Sequence, residues 1–224
     1  MKKYLMMTAV FPLLMAAAPT GAIAANAAPG FAVCDPTDPA SWGDVTYGAN
    51  DSIGNNATIG AGTSIGDNTS IGAYANIGVC GTIGNSVNIG VHTTIKDAVT
   101  IVDSASVDPY VEVGSHSRLA GLTSIGRDSS IGDHTLIRRG TSLAPWVVVG
   151  AHSDVGHRIS VGYRSSIGNN TVVGDDTTID RQVSIGSSVQ MGANVSAGYR
   201  AKVCDNAVVP DGTQIDTKGS YGCN

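Results

Sequence analysis

Two of the five histidines in this chain lie close together, in the segment Gly150–Arg158 (GAHSDVGHR). Imidazole accepts and donates protons near neutral pH, and it is also a common metal ligand. Most neighbours of His152 and His157 are small or apolar, so the two rings stand out as candidates for chemistry. What they can do depends on which other side chains the fold brings beside each of them.

Histidine also recurs at equal intervals along the chain, at His116, His134 and His152, whereas His157 falls outside this series. Equal spacing predicts that the three rings lie on the same spot of successive structural repeats. Two neighbouring imidazoles could share a zinc ion, so these residues are candidate metal ligands. We nevertheless expect no bound metal and no cofactor.

Aromatic and arginine side chains follow the same interval or lie next to it. The tripeptide Gly-Tyr-Arg recurs at 162–164 and 198–200, which are separated by twice that interval. Tyrosine and tryptophan rings stack on sugar faces, and guanidinium groups recognise carboxylates, so these residues form a candidate glycan-binding surface. They are Tyr74, Tyr110, Trp146, Tyr163, Arg164, Arg181, Tyr199 and Arg200.

A six-residue period positions all of these side chains. From residue 53 to residue 215, 26 of the 28 positions at this spacing are Ile, Val or Leu, with Met191 and Ala197 as the exceptions. A small or β-branched residue usually follows four positions later. Such a short fixed period is typical of a solenoid, because six residues can form one short strand and a bend. Three of these units, or hexads, close one triangular coil, which predicts about nine coils.

The repeat of an aliphatic residue, often followed by Gly, resembles the hexapeptide repeat of the left-handed parallel β-helix family. The resemblance covers residues 53–215. It implies an all-β chain with a single left-handed parallel β-helix, and family habit implies a homotrimer. Left-handed coiling comes from the resemblance alone, since crossovers between parallel strands are generally right-handed.

The same resemblance suggests two enzymatic activities. In the family's acyltransferases a histidine acts as general base during attack on a thioester, and the segment Val155–Gly162 (VGHRISVG) is similar to the sequence around it. His157 is therefore the candidate catalytic residue. The segment Thr177–Arg181 (TTIDR) is also similar to a phrase of lipid A acyltransferases. The family's carbonic anhydrases have a metal-binding histidine after an Ile-Gly pair, but their second ligand would fall on Gly162.

The N-terminus predicts export. Lys2 and Lys3 precede a mostly apolar run that is too short to span a membrane, and small-residue cleavage sites follow it, so residues 1–27 are a predicted signal peptide. Removing Lys2 and Lys3 from the 13 basic residues leaves 11 against 18 acidic ones, a net charge of about −7. This balance disfavours nucleic acid as a partner. We expect no membrane span in the mature chain.

The four cysteines suit an oxidising compartment, because their number is even and no CxxC spacing is present. Two lie towards each end of the mature chain, so we predict the pairs Cys34–Cys80 and Cys204–Cys223, although two other pairings are possible. Each predicted disulfide would tie a short cap to the solenoid. The predicted boundaries are 28–52 for the N-terminal cap, 53–215 for the β-helix and 216–224 for the C-terminal cap.

These observations favour an exported solenoid, periplasmic or extracellular, that acts as a structural or glycan-binding module of the cell envelope. Its expected partner is a polysaccharide or envelope glycan. The alternative is an acyltransferase that moves an acyl group from a thioester to an envelope glycan, with His157 as general base. A carbonic anhydrase-like enzyme and an ice-binding protein fit fewer of the residues.

Overall fold

The computed structural model describes residues 34–223, so the predicted signal peptide at 1–27 lies outside the described residues. Within the described range, three parallel sheets wind into one left-handed β-solenoid of about nine coils, which confirms the predicted fold. Strands from successive coils pair with each other, so each sheet runs the length of the solenoid.

Every strand is two residues long, and the three sheets are here named A, B and C in the order in which the chain meets them. Sheet A contains Ser52–Ile53, Ser70–Ile71, Asn88–Ile89, Ser106–Val107, Ser124–Ile125, Ser142–Leu143, Ser160–Val161, Thr178–Ile179, Ser196–Ala197 and Gln214–Ile215. Sheet B contains Thr58–Ile59, Asn76–Ile77, Thr94–Ile95, Glu112–Val113, Ser130–Ile131, Val148–Val149, Ser166–Ile167, Ser184–Ile185, Lys202–Val203 and Ser220–Tyr221. Sheet C contains Ser64–Ile65, Thr82–Ile83, Thr100–Ile101, Arg118–Leu119, Leu136–Ile137, Asp154–Val155, Val172–Val173, Gln190–Met191 and Val208–Val209.

The register between coils is constant, because each strand residue pairs with the residue three hexads further along the chain. Ser142 pairs with Ser160 and Leu143 pairs with Val161, for example, so equivalent residues lie directly above one another. Because side chains alternate along a strand, the first residue of each strand points outward and the second points into the core. The number of a residue therefore indicates which sheet or corner it belongs to and, in a strand, whether its side chain points outward or into the core.

The inward aliphatic residues form one continuous core. From Ile65 to Ile215 each of them is at most 5% exposed, and full burial of such a side chain contributes about 1.5–3 kcal/mol. The buried hydroxyls between them are hydrogen-bonded along the axis, except that of Thr123. For example, the backbone N–H of Thr135 donates to Ser117 Oγ at 3.0 Å, and Thr135 Oγ1 donates to the carbonyl of Gly150 at 2.9 Å.

Three corners connect the sheets, and they are named here A–B, B–C and C–A by the sheets they join. One residue at nearly every turn has φ between +54° and +74°, and most of these residues are not glycine. This left-handed conformation costs about 1–2 kcal/mol for an ordinary residue. Hydrogen bonds to the preceding coil offset the cost, as when the N–H of His134 donates to the carbonyl of Ser115 at 2.8 Å.

Disulfides tie both ends of the solenoid to its body. Cys34 is bonded to Cys80 and Cys204 to Cys223, which confirms the predicted pairing. The N-terminal segment contains a short 3-10 helix, Pro39–Ser41, and a bridge from Thr46 to Ser64 before the first strand.

At the other end, the strand Ser220–Tyr221 pairs with Lys202–Val203 inside the segment predicted as a cap. Tyr221 occupies an inward position and packs against the core there. Among the described residues, no helix has the length and apolarity needed to cross a membrane.

Candidate functional site

His157 lies at the C–A corner, in a notch that a glycine creates. The outermost position of this corner is occupied on successive coils by Leu122, Gly140 and Arg158, and Gly140 contributes no side chain there. A cavity of about 300 Å³ opens between them, lined by Leu122, Arg139, Gly140, His157 and Arg158. These five residues are called the Gly140 notch below.

A second cavity continues the notch towards the N-terminal end of the solenoid. It has a volume of about 320 Å³ and shares Leu122 and Arg139 with the first cavity. Its other lining residues are Val102, Asp103, Ser104 and Gly121. The surface beside His157 is therefore long enough to receive an extended small molecule.

Hydrogen bonds from the next coil fix the two residues that follow Gly156. The backbone N–H of His157 donates to Asp175 Oδ1 at 2.8 Å. Arg158 donates from Nε and Nη2 to the two carboxylate oxygens of Asp176, at 2.7 and 2.6 Å. This hydrogen-bonded pair raises the pKa of Arg158 and lowers the pKa of Asp176 below its ordinary value.

The two cations of the Gly140 notch are therefore not equivalent. The charge of Arg158 is balanced by Asp176, whereas Arg139 forms no ion pair with a carboxylate in the described part of the chain. Arg139 is exposed and lies one coil below the half-buried His157. The notch thus combines the imidazole of His157, a guanidinium group without an ion pair in the described chain and the apolar side chain of Leu122.

His116, His134 and His152 lie together at the B–C corner, away from His157. Their ring centroids are 4.9 and 5.0 Å apart, so their equal spacing in the sequence did predict a column, in which the ring planes are inclined to each other by 67° and 58°. All three rings are exposed. Across residues 34–223, no group of three or more His, Cys, Asp or Glu side chains has the arrangement needed to hold a metal ion.

The predicted glycan-binding residues all lie along the A–B corner, but they form two different arrangements. Towards the N-terminal end, Tyr74, His92 and Tyr110 stack face to face, with centroids 4.9 and 5.1 Å apart and ring planes within 7° of parallel. His92 completes this stack although it was not among the predicted binding residues. Its equal distance in sequence from both tyrosines is the signal that identifies it.

Towards the C-terminal end, guanidinium groups lie over aromatic rings. Arg127 is 5.1 Å from the centre of the Trp146 ring, and Arg164 is 5.0 Å from the centre of Tyr163. The Tyr199 ring has two such neighbours, Arg181 at 4.9 Å and Arg200 at 5.0 Å. Trp146 and Tyr163 also contact each other edge to face at 5.1 Å. This row from Arg127 to Arg200 is called the arginine–aromatic row below.

Sequence reasoning did not single out Leu122, Arg139 or Gly140 as site residues. The available signal was the composition of the C–A corner, where Gly140 stands between Leu122 and Arg158 at the equivalent position of successive coils. That pattern predicts a gap in the surface, but only the orientations of Arg139 and His157 show that the gap becomes a notch.

The fold that carries these sites is a known one. Three parallel sheets, left-handed coiling and an aliphatic residue at every sixth position occur together. The chain has the hexapeptide-repeat left-handed β-helix fold. No family model matches this hexapeptide-repeat chain, and no curated protein does.

Solved structures similar to this hexapeptide-repeat chain include several sugar acyltransferases. The UDP-N-acetylglucosamine acyltransferase of Francisella novicida is 16% identical with a TM-score of 0.43, over 77% of this chain and 67% of that one. The Arabidopsis UDP-N-acetylglucosamine acyltransferase is 15% identical with a TM-score of 0.31, over 79% and 68%. Perosamine N-acetyltransferase from Caulobacter crescentus, in complex with CoA and GDP-perosamine, is 22% identical with a TM-score of 0.28, over 57% of each chain. The chain thus spans between about half and two thirds of the length of these enzymes.

Proposed function

We propose that this chain transfers an acyl group from a thioester to a hydroxyl or amine of an envelope glycan, with His157 as the general base. The observation that carries the proposal is the position of His157, which is half-buried in the Gly140 notch beside the unpaired Arg139. The other histidines with which it could be confused, His116, His134 and His152, are exposed at a different corner. A general base must be accessible to substrate and surrounded by groups that position it.

The proposed reaction is a proton-assisted displacement. The neutral imidazole of His157 accepts the proton of the acceptor hydroxyl or amine while the acceptor's lone pair attacks the thioester carbonyl carbon. The resulting intermediate collapses, the carbon–sulfur bond breaks with its electron pair on sulfur, and the imidazolium returns the proton to the thiolate. The products are an acyl ester or amide and a free thiol, and His157 ends neutral.

The other notch residues suit the donor. Donors such as acyl-CoA carry phosphate groups, and the exposed guanidinium of Arg139 can pair with a phosphate because no carboxylate of the described chain occupies it. Leu122 is 54% exposed and offers an apolar contact for the acyl or pantetheine chain. The Arg158–Asp176 pair holds the next corner position in place without adding net charge.

The proposed setting is an exported homotrimer, periplasmic or extracellular. The two disulfides are typical of proteins that fold in an oxidising compartment and support export. The trimer rests on the habit of the family that the repeat resembles. A donor must then be present outside the cytoplasm, so we expect the natural thioester to be carried or transferred across the membrane.

The test is an assay of thiol release and glycan acylation with acetyl-CoA and acetyl-phosphopantetheine as donors and envelope oligosaccharides as acceptors. His157→Ala should lower the transfer rate at least about 100-fold, the usual contribution of a general base. His152→Ala is the matched control, since it removes an exposed imidazole five residues away, and it should retain the wild-type rate. Equal rates in wild type and His157→Ala, or no transfer by wild type from either donor, would overturn the proposal.

A second candidate function, glycan binding without catalysis, is favoured by a separate observation. The stack of Tyr74, His92 and Tyr110 and the arginine–aromatic row place rings and cations on most coils along the A–B corner, on either side of Asp128. Such a surface suits a linear polymer better than a small substrate, because it repeats along the axis of the solenoid.

A further inference from the structure

Two arginines of this protein, Arg138 and Arg158, are neutralised by carboxylates of neighbouring coils, whereas, among the described residues, the arginines of the row beyond Trp146 are not. Arg138 pairs with Asp154 through two hydrogen bonds of 2.7 and 2.6 Å, and Arg158 pairs with Asp176 in the same way. In the arginine–aromatic row, by contrast, Arg164, Arg181 and Arg200 form no ion pair within the described residues. Their cationic groups therefore remain available for a partner.

Each of these guanidinium groups lies over the face of an aromatic ring, and this contact holds it in place. A guanidinium group that stacks on a ring leaves the N–H groups at its edge free, and these edges match the two oxygens of a carboxylate. Arg200 is further fixed because its Nε donates to Gln182 Oε1 at 2.8 Å. The carboxylate of Asp180, the acidic group next to Arg181, accepts that residue's own backbone N–H at 2.6 Å. Groups that are already ordered lose less entropy on binding.

The cations are arranged as a row with a regular step. Arg164, Arg200 and Lys218 occupy the outermost, positive-φ position of the A–B corner, and Arg181 lies just before that position on the coil between Arg164 and Arg200. Adjacent coils are about 4.8 Å apart, so Tyr163–Arg164 and Tyr199–Arg200 are separated by about 9.6 Å. This distance is close to the length of a disaccharide in an extended β-linked chain. With Arg181 on the coil between them, the row offers one cation per coil of about 4.8 Å, which suits a polymer that carries about one negative charge per sugar.

From these observations we propose that the C-terminal half of the A–B corner, from Trp146 to Lys218, binds an extended acidic polysaccharide through its carboxylates. The inference rests on the second proposed function, glycan binding, and specifies the ligand as a uronate-containing chain aligned with the solenoid axis. Carboxylates pair with the guanidinium edges, and sugar hydroxyls contact the edges of the tyrosine rings.

The experiment measures the affinity of the full exported chain for β-1,4-linked mannuronate oligosaccharides by calorimetry. The double variant Arg181→Gln/Arg200→Gln should weaken binding by about tenfold or more, since two charge-assisted contacts are lost. The matched control Lys96→Gln/Arg118→Gln removes the same charge from other surfaces and should change the affinity less than about twofold, because distant exposed charges are screened. Equal losses in the two double variants would contradict the proposal.

Two further ligands complete the test. The first distinguishes a failure of the carboxylate inference from a failure of glycan binding as a whole, and the second tests the choice of polysaccharide. The same oligosaccharides with reduced carboxyl groups should bind at least about tenfold more weakly than the acidic form. If the neutral form binds as well as the acidic one, glycan binding stands and the carboxylate inference fails. If neither binds, both fail. Tighter binding of a single-stranded oligonucleotide of equal charge would overturn the choice of polysaccharide, since aromatic and arginine side chains also suit unpaired bases.

Discussion

The C–A and A–B corners share the same backbone and differ in what their arginines contact. At the C–A corner, Arg158 is bound by the carboxylate of Asp176 and the missing side chain of Gly140 leaves a notch beside His157. At the A–B corner, Arg164 and Arg200 lie over tyrosine rings, and no glycine occupies the outermost position on any described coil. One corner therefore offers a single local site, and the other offers a surface that extends along the axis.

This difference shows how a uniform solenoid can carry distinct functions. The core residues that define the fold are nearly the same in every coil, so they cannot specify a site. The outward side chains at the corners, which lie above one another on successive coils, differ from coil to coil and can therefore form local sites. The two corners can be altered separately, since changes at one leave the other's side chains in place.

Apart from the loss of His157 itself, the largest expected effect comes from filling the notch. Gly140→Leu should lower acyl transfer by at least about tenfold, equivalent to about 1.4 kcal/mol in the barrier, because the new side chain occupies the space beside His157. Leucine is tolerated at this corner position, since Leu122 has φ +59° there. Rate measurements with acetyl-CoA check the prediction.

Gly212→Leu provides the control for this change. Gly212 lies at the equivalent corner position with φ +68° and open space around it, so the backbone cost is similar. The Gly212→Leu variant should transfer the acyl group at the wild-type rate. Gly140→Leu and Gly212→Leu should both bind the acidic polysaccharide with wild-type affinity. A Gly140→Leu variant with an unchanged rate would remove the notch from the account of catalysis.

A smaller effect is expected from Arg139→Gln. If this guanidinium group pairs with a phosphate of the donor, its loss should raise KM for acetyl-CoA about tenfold while kcat changes little, since a charge-assisted hydrogen bond contributes about 1.5–3 kcal/mol. An acetyl thioester of N-acetylcysteamine carries no phosphate, so its KM should be the same in both proteins. An equal rise in KM for both donors would contradict the assigned role.

The smallest effect concerns the pH dependence of stability at the Arg158–Asp176 pair. The hydrogen bond from Arg158 lowers the folded-state pKa of Asp176 below its ordinary value of 3.8. The carboxylate therefore stabilises the folded chain above that ordinary pKa, and the contribution disappears as the pH falls through the lowered value.

Thermal unfolding of wild type and Asp176→Asn should accordingly differ slightly at pH 7 and converge in strongly acidic solution. The difference is small because both side chains are exposed to solvent. A difference that grows as the pH falls below 3.8 would show that the pair does not act in this way.

The six-residue period and the family resemblance predicted the fold and the columns of side chains at the corners, and the cysteine positions favoured the disulfide pairing that the structure confirms. A single six-residue phase assigns every position from Ile53 to Ile215 to a sheet or a corner, so the His116–His134–His152 column follows from counting. The extra strand at Ser220–Tyr221 was missed because Tyr221 takes the place of the aliphatic residue at the last inward position.

The side-chain arrangements within each corner could not be predicted in the same way. Arg158 could turn either to Asp176 on the next coil or into the notch, and the sequence does not decide between these orientations. The structure selects the bidentate pair, which leaves Arg139 as the notch residue with an unpaired charge among the described residues. The alternation of guanidinium groups and rings along the A–B corner likewise depends on rotamers.

The most direct test of the central claim is a map of backbone amide chemical shifts on addition of acetyl-phosphopantetheine. If the Gly140 notch is the donor site, saturable shifts should concentrate at residues 121–122, 139–140 and 157–158, with the A–B corner unaffected. Shifts confined to the arginine–aromatic row, or the absence of saturable shifts anywhere, would contradict the account.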